Sequence, residues 1–122
     1  MSNFTISQEQ ITGAVSVTVL HINGLLDAQS EQKLIQTVQR TYDEGAGFLV
    51  IDMSQLHTLT SAGIRALQKT YKMFTPKESR ESHLLLCTAQ PQINNILGIT
   101  GFLDKIPMYE TLDAAVQSLN KE

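Results

Sequence analysis

The sequence predicts a single α/β domain with a mixed, mostly parallel β-sheet of about four to five strands, flanked by about four helices. Short apolar runs alternate along the chain with segments of helical periodicity, which is the pattern of strands joined by crossover helices. The chain has 122 residues, of which 42% are hydrophobic, enough to bury one core. No linker or internal repeat divides it, so we expect one domain over residues 1–122.

The first half of the chain predicts a hairpin followed by a helix. Residues 3–22 alternate apolar and smaller or polar side chains with a period of two, and Gly13 interrupts the alternation, which indicates two antiparallel strands. Leu34, Val38 and Tyr42 then recur at helical spacing, and Gly45 marks the end of this helix. The hairpin is therefore expected to add an antiparallel edge to the sheet.

The second half predicts three further strands that alternate with three helices. Residues 48–51 form a continuous apolar run, typical of a strand covered on both faces, and Asp52 would end this strand. An amphipathic helix then begins close to Ser61 and ends before Pro76. The remaining predicted elements are a strand at 83–87, a helix at 91–97 opened by Pro91, a strand at 106–109 and a last helix capped by Thr111.

Charge and the chain start bear on the class of partner. Nine basic and twelve acidic residues give a net charge of −3, and no basic block is present, so direct binding of nucleic acid is not expected. The first ten residues lack the pattern of a signal peptide, and no apolar run approaches the length of a membrane span. These features predict a cytoplasmic protein without membrane insertion.

The sequence predicts neither an enzyme nor a metal or cofactor site. No Gly-x-Ser-x-Gly elbow and no phosphate-binding glycine motif is present. The three histidines and the single cysteine are scattered without metal-ligand spacing, and Cys87 follows three leucines, which indicates a small buried strand residue. We therefore expect a protein that acts by binding.

The segment TLTSAGIRAL, which begins at Thr58, places small residues between a strand and a helix. Functional groups gather at the carboxyl ends of strands in such sheets, and a helix N-terminus favours an anion such as phosphate. Ala62 and Gly63 would leave the Ser61 hydroxyl open to a kinase or a docking partner. Alternatively, Thr58, Thr60 or Ser61 is simply a helix N-cap worth about 1 kcal/mol, and Gly63 allows close packing; the residues alone favour this interpretation.

Three stretches of the chain together resemble one known family. Residues 51–67, IDMSQLHTLTSAGIRAL, resemble a signature of an aspartate, an apolar residue and a serine, followed shortly by Asp-Ser-Ser-Gly-Leu. Gly24 to Asp27 resembles a Gly-x-Leu-Asp element after the second strand, and residues 98–116 are similar to a closing strand and helix. These are features of the STAS family of anti-sigma-factor antagonists, whose fold is a mixed sheet flanked by helices.

The resemblance implies a partner and a switch. Ser61 falls on the serine that family antagonists present to an anti-sigma factor with serine kinase activity. The unphosphorylated antagonist binds this partner and frees the sigma factor, which regulates transcription, whereas the phosphorylated form lets go. A phosphatase is a further possible partner.

Two positions depart from the family pattern. Thr60 replaces the acidic residue that usually precedes the serine, and Ala62 replaces the serine that usually follows it. Thr60 is therefore an alternative phosphoacceptor. The departures also leave a second hypothesis, in which the protein is a non-switching adaptor or scaffold subunit of a signalling or transporter complex.

Other residues near this segment have a functional and a structural interpretation. The resemblance places Asp27 in a partner-facing loop, although it could equally serve the turn, and Arg65 would meet a phosphate, a partner carboxylate or only solvent. Asp52 is expected mainly to hydrogen-bond the turn toward Ser54. The residues expected to contact a partner are Gly24, Asp27, Thr60, Ser61, Ala62, Gly63 and Arg65.

Overall fold

The computed structural model describes residues 3–78 and 81–120. Within these ranges the chain forms a five-stranded sheet, four α-helices and one short 3-10 helix. No helix in these ranges is long and apolar enough to cross a membrane. The strands are β1 (Phe4–Thr12), β2 (Ser16–Leu26), β3 (Phe48–Leu59), β4 (Leu84–Cys87) and β5 (Met108–Tyr109), and the helices are α1 (Glu31–Asp43), α2 (Ser61–Met73), α3 (Pro91–Ile99) and α4 (Leu112–Leu119), with the 3-10 helix at Phe102–Asp104.

The five strands lie across the sheet in the order of the chain. β1 and β2 form an antiparallel hairpin, whereas β2, β3, β4 and β5 are parallel to their neighbours. Parallel neighbours require crossover connections, which α1, α2 and α3 provide. The predicted α/β fold, with an antiparallel edge on a mostly parallel sheet, is confirmed.

The sheet has a larger core on one face and a smaller core on the other. Crossovers of one hand that advance in one direction across a sheet lie on the same face. The larger core accordingly includes Leu34 of α1, Leu67 of α2 and Leu97 of α3, and the smaller core includes Ala115 of α4. Cys87 lies in the smaller core, fully buried as predicted, and burial raises the pKa of its thiol to about 11.

Two predicted boundaries near the site are wrong. Asp52 does not end a strand, since β3 continues to Leu59, and Gly24 lies inside β2 and not after it. The second half of β3 pairs with β2 through a register broken at two places, and its partly exposed polar residues carry no continuous apolar signal. Gly24 has a φ of +104°, and a side-chain carbon there would lie 1.9 Å from the carbonyl oxygen of Asn3, so the bend in β2 requires glycine.

Candidate functional site

Thr60 forms the junction between β3 and α2. Its backbone is extended, its N–H donates to the carbonyl oxygen of Leu26 at 3.1 Å, and its hydroxyl accepts from the Gly63 amide at 3.5 Å. Thr60 is therefore the N-cap of α2, one of the residues predicted for that role. The bond to Leu26 also ties the junction to the last residue of β2, so the ends of β2 and β3 are neighbours.

Ala62 and Gly63 face the sheet and not the solvent. Ala62 is 6% exposed and Gly63 is buried. A side-chain carbon on Gly63 would lie 2.4 Å from the carbonyl oxygen of Leu26 and 2.8 Å from Cδ1 of Leu59. The small residues therefore let the first turn of α2 approach β2, and their side chains are not part of the exposed surface that was expected to contact a partner.

Ser61 is the first residue of α2 and is exposed to solvent. Because Thr60 caps the helix, the Ser61 hydroxyl is not needed for the cap, and it has no hydrogen-bond partner among residues 3–78 and 81–120. The first turn of α2 holds no acidic residue, so the partial positive charge of this helix end is not neutralised from within the helix. An exposed, unused hydroxyl at such a helix end is a suitable acceptor for a phosphoryl group.

Asp27 lies in the turn between β2 and α1. Its Oδ1 accepts from the amides of Gln29 at 3.0 Å and Ser30 at 3.2 Å, and the Ser30 hydroxyl donates to the carbonyl oxygen of Leu25 at 2.6 Å. These bonds close the turn and give Asp27 a structural role. Its other carboxylate oxygen has no partner within the described ranges, so Asp27 also leaves a half-buried negative group beside the junction.

Arg65 extends from α2 with 58% of its side chain exposed. Its Nη2 lies 3.8 Å from Oε1 of Glu31, the first residue of α1. Glu31 is largely covered, but an ion pair this long, with its arginine mostly in solvent, contributes little stability, because water screens it and both side chains lose freedom. Arg65 can therefore exchange Glu31 for another anion.

The structure thus separates the predicted residues into two groups. Those that meet at the carboxyl ends of β2 and β3 are Asp27, Thr60, Ser61 and Arg65. Asp52 and Ser54 are not among them, because Asp52 lies eight residues before Thr60, about 26 Å along an extended chain.

Asp52 belongs to a second polar cluster in the middle of the sheet. Its Oδ2 lies 2.6 Å from Nδ1 of His21, and its Oδ1 accepts from the Ser54 amide at 3.0 Å and from the Thr88 hydroxyl. Nε2 of His21 lies 2.8 Å from Oε1 of Glu9. The hydrogen bond from the Ser54 amide to Asp52 is present as expected, but the predicted turn is wrong, because both residues lie inside β3. The cluster joins β1, β2, β3 and the end of β4.

These contacts shift the pKa values of both central groups. Burial alone would raise the pKa of Asp52, but the hydrogen bonds from Thr88, His21 and Ser54 outweigh burial and lower the pKa. Burial alone would lower the pKa of His21, but the hydrogen bonds and charges of Asp52 and Glu9 outweigh it and raise the pKa. Both ring nitrogens of His21 face carboxylates, so the protonated imidazole, which donates from both, fits the cluster best.

Sequence reasoning did not connect His21, Glu9 or Thr88 with Asp52. The available signal was the two-residue period of the strands, which puts His21 and Asp52 on the face that carries the smaller core. Pairing them requires the β2–β3 register, in which their Cα atoms are partners. Thr88 has a φ of +58°, a left-handed conformation that is unusual for a β-branched residue and that no sequence motif predicts.

Comparisons with known proteins agree with one another. The sequence model of the STAS domain family matches residues 7–115. BtrV of Bordetella bronchiseptica, whose name describes an anti-sigma factor antagonist, is 25% identical over 96 residues, which cover 77% of this chain and 78% of BtrV. A solved anti-sigma factor antagonist from Mycobacterium paratuberculosis is 26% identical, with 97% of this chain and 95% of that chain covered and a TM-score of 0.82. The Bacillus cell fate determinant SpoIIAA, solved in its phosphorylated form, has a TM-score of 0.68 at 14% identity, with 94% and 99% covered, a likeness of fold alone.

Proposed function

Because this chain belongs to the STAS domain family, we propose that it is an anti-sigma-factor antagonist. The unphosphorylated protein binds an anti-sigma factor that has serine kinase activity, and the sigma factor is thereby freed to direct transcription. Phosphorylation of Ser61 ends the interaction, and a phosphatase restores it. The protein acts in the cytoplasm by binding, with no catalysis or cofactor of its own.

The state of the Ser61 hydroxyl carries this proposal. It is exposed and has no hydrogen-bond partner in the described part of the chain, whereas the Thr60 hydroxyl is half-buried and caps α2. A kinase can reach the Ser61 hydroxyl without disturbing the helix, whereas it would have to draw the Thr60 hydroxyl away from the Gly63 amide. These differences favour Ser61 over Thr60 as the acceptor.

The effect of a phosphate on Ser61 is electrostatic. It adds about −1.5 to −2 charges, and the helix N-terminus stabilises this charge, so α2 need not unfold. SpoIIAA, which has a similar fold, has been solved in a phosphorylated form. Asp27 already provides a negative group at the same end of the sheet. A partner that docks over Ser61 must then desolvate a doubly charged anion, which lowers its affinity.

The two departures from the family signature leave the exposed hydroxyl in place. Thr60 keeps the capping role that an aspartate would have, because both side chains can accept a hydrogen bond from the first turn. Ala62 is buried, so a serine at this position would need a buried partner for its hydroxyl. What Thr60 does remove is a negative charge next to the acceptor.

That missing charge supports a second candidate function. The first turn of α2 contains no acidic residue, so a kinase that selects an acidic neighbour would not modify Ser61. The protein would then be a non-switching adaptor, a scaffold subunit of a signalling or transporter complex. It would bind through the same end of the sheet with constant affinity.

Phosphopeptide mapping distinguishes the two functions. The protein is isolated from its own cells during growth and under stress, and its intact mass and phosphopeptides are measured. The switch predicts phosphate on Ser61 whose amount changes with condition, and phosphate on Thr60 would move the acceptor by one residue. A chain that carries phosphate on neither residue under any condition would support the adaptor.

Binding variants test the consequence of the phosphate. The affinity of the anti-sigma factor is measured by calorimetry for Ser61→Asp and Ser61→Ala. We expect the aspartate to weaken binding roughly tenfold, a change of about 1.4 kcal/mol, and the alanine to preserve it. Thr12→Asp is the matched control, because it adds the same charge at the hairpin end of β1, away from the junction. Equal affinities for the two Ser61 variants would exclude the switch.

A further inference from the structure

Helix α2 has a charge opposite to that of the chain. The chain has a net charge of −3, yet α2 carries Arg65, Lys69 and Lys72 and no acidic residue. All three basic side chains are exposed. A helix with several cations and no acid lacks the internal ion pairs that usually balance a solvated surface.

Two of these basic residues, Arg65 and Lys72, continue the line on which Ser61 lies. Positions 61, 65, 68 and 72 are spaced by four, three and four residues, so Ser61, Arg65, Gln68 and Lys72 share one face of α2. At about 1.5 Å per residue this face extends about 16 Å from the proposed phosphoacceptor. The buried residues of α2, among them Ala66 and Leu67, lie on the opposite face.

The far end of this face opens into a groove of about 370 Å³. Gln68 and Lys72 line one side of the groove, and Gly101 and Lys105 line the other. Lys105 is exposed and adds a third basic residue to Arg65 and Lys72. Three acids lie beside this surface: Asp27 at the junction, Glu31, which pairs weakly with Arg65, and Asp104, which precedes Lys105 but does not line the groove.

We infer that the face from Ser61 to Lys72, together with the groove beside Lys105, is a docking surface for an acidic segment of a partner protein. This surface is called the basic strip below. The argument is charge complementarity: the strip is positive within a negatively charged protein, which attracts acidic partners and orients them during association. The inference rests on the proposed function and adds to it the chemistry of the partner's surface.

The basic strip also gives the phosphate on Ser61 a mechanism. The acceptor lies at one end of the strip, one helical turn from Arg65. A phosphate there would cancel about two of the positive charges that attract an acidic partner. It would also compete with the partner for Arg65, whose bond to Glu31 is weak. Phosphorylation would thus weaken the electrostatic attraction between the strip and the partner, in addition to disturbing the shape of the interface.

The strip can be tested without the anti-sigma factor. The full chain is labelled with ¹⁵N and titrated at low ionic strength with a peptide of ten glutamates and, separately, with a single-stranded DNA of ten nucleotides. We expect the peptide to shift the amides of the exposed face of α2 and of the Gly101–Lys105 segment. Lys72→Gln and Lys105→Gln should each weaken peptide binding roughly threefold, and salt should abolish it.

Lys77→Gln provides the matched control, because Lys77 is an exposed lysine outside the strip. The inference is overturned if shifts spread equally over other lysines such as Lys33, or if Lys72→Gln and Lys77→Gln have the same effect. Tighter binding of the DNA than of the peptide at the strip would also overturn it, in favour of a nucleic-acid surface.

The anti-sigma factor then separates this inference from the proposed function. If it binds the unmodified chain, Lys72→Gln and Lys105→Gln should slow its association severalfold and flatten the salt dependence of the rate. Unchanged association would overturn the strip and leave the proposed function intact. If the anti-sigma factor does not bind at all, the proposed function fails, and the peptide titration alone decides whether the strip exists.

Discussion

The cluster around Asp52 lies in β3, and the junction at Ser61 follows the same strand. Polar groups are bonded within the protein in the cluster, whereas one is left unbonded at the junction. In the cluster, both carboxylate oxygens of Asp52 and both ring nitrogens of His21 have partners. No buried side-chain nitrogen or oxygen in the described ranges lacks one. At the junction, the Ser61 hydroxyl is exposed and serves no contact of the fold.

This difference separates polar residues that hold the sheet together from a polar residue that is free to meet another molecule. Shifted pKa values often mark functional sites. Here the shifts of Asp52 and His21 are explained by their own hydrogen bonds, and the cluster mainly joins neighbouring strands. The Ser61 hydroxyl is the better candidate for the proposed contact, because it is exposed and no contact of the fold uses it.

The largest expected effect tests how closely the first turn of α2, next to Ser61, packs against β2. Gly63→Ala places a methyl 2.4 Å from the carbonyl oxygen of Leu26. The resulting clash should outweigh the helix propensity that alanine gains and lower the free energy of unfolding by about 2 kcal/mol. Urea denaturation measures this change.

Gly98→Ala is the matched control, since nothing lies within 4 Å of a side-chain carbon at that position in α3. We expect it to leave stability unchanged or to raise it by up to about 1 kcal/mol. Equal effects of the two substitutions would contradict the close approach of α2 to β2.

A smaller effect distinguishes the two hydroxyl residues of the junction. Thr60→Ala removes the cap of α2 and should cost about 1 kcal/mol of unfolding free energy. Ser61→Ala removes an unused hydroxyl and should change stability by less than about 0.5 kcal/mol. Thermal or urea denaturation of the pair decides this, and a larger loss for Ser61→Ala would show that the fold does use Ser61.

The smallest expected effect concerns the cluster and depends on pH. The raised pKa of His21 contributes stability that is present below its ordinary value of 6.5 and is lost as pH rises through the folded-state value. The lowered pKa of Asp52 contributes stability that is present above its ordinary value of 3.8 and is lost as pH falls through the folded-state value. The two contributions therefore coexist between these ordinary values.

Unfolding of the wild type and of His21→Gln at about pH 5.5 and about pH 8 tests this sign. The stability difference between the two proteins should be greater at the lower pH, by roughly 0.5 kcal/mol after allowance for solvent screening of the partly exposed ring. A difference that is the same at both values, or larger at the higher pH, would show that the charge of His21 contributes nothing to the cluster.

The sequence predicted the elements whose position depends on hydrophobic pattern. The continuous apolar run of β4 predicts a strand that is buried on both faces, and the amphipathic pattern of α2 predicts which face of the helix is buried. The second half of β3 could not be predicted in this manner, because its pairing with β2 depends on register irregularities. The contact of His21 with Asp52 depends on the same register, so the sequence could not predict it either.

At the junction, the sequence predicted which residues lie there but not the structural role of each. The hydroxyls of Thr60 and Ser61 looked interchangeable as caps, and only the geometry assigns the cap to Thr60. The small size of Gly63 had two explanations, exposure of a neighbour or close packing. The distance to Leu26 selects packing, and no property of a single sequence contains that distance.

The length of β3 beyond β4 has a consequence for solubility. β4 ends at Cys87, opposite Asp52, so among residues 3–78 and 81–120 no strand pairs with the rest of β3 on that side. An open edge of this kind is a template on which another chain can add a strand. Gln90 occupies part of it, since its Nε2 donates to the carbonyl oxygen of Ser54 at 3.1 Å, and α3 contacts the same strand. Ser61 therefore follows a strand that overhangs its neighbour, and Gln90 and α3 cover part of the edge on which another chain could add a strand.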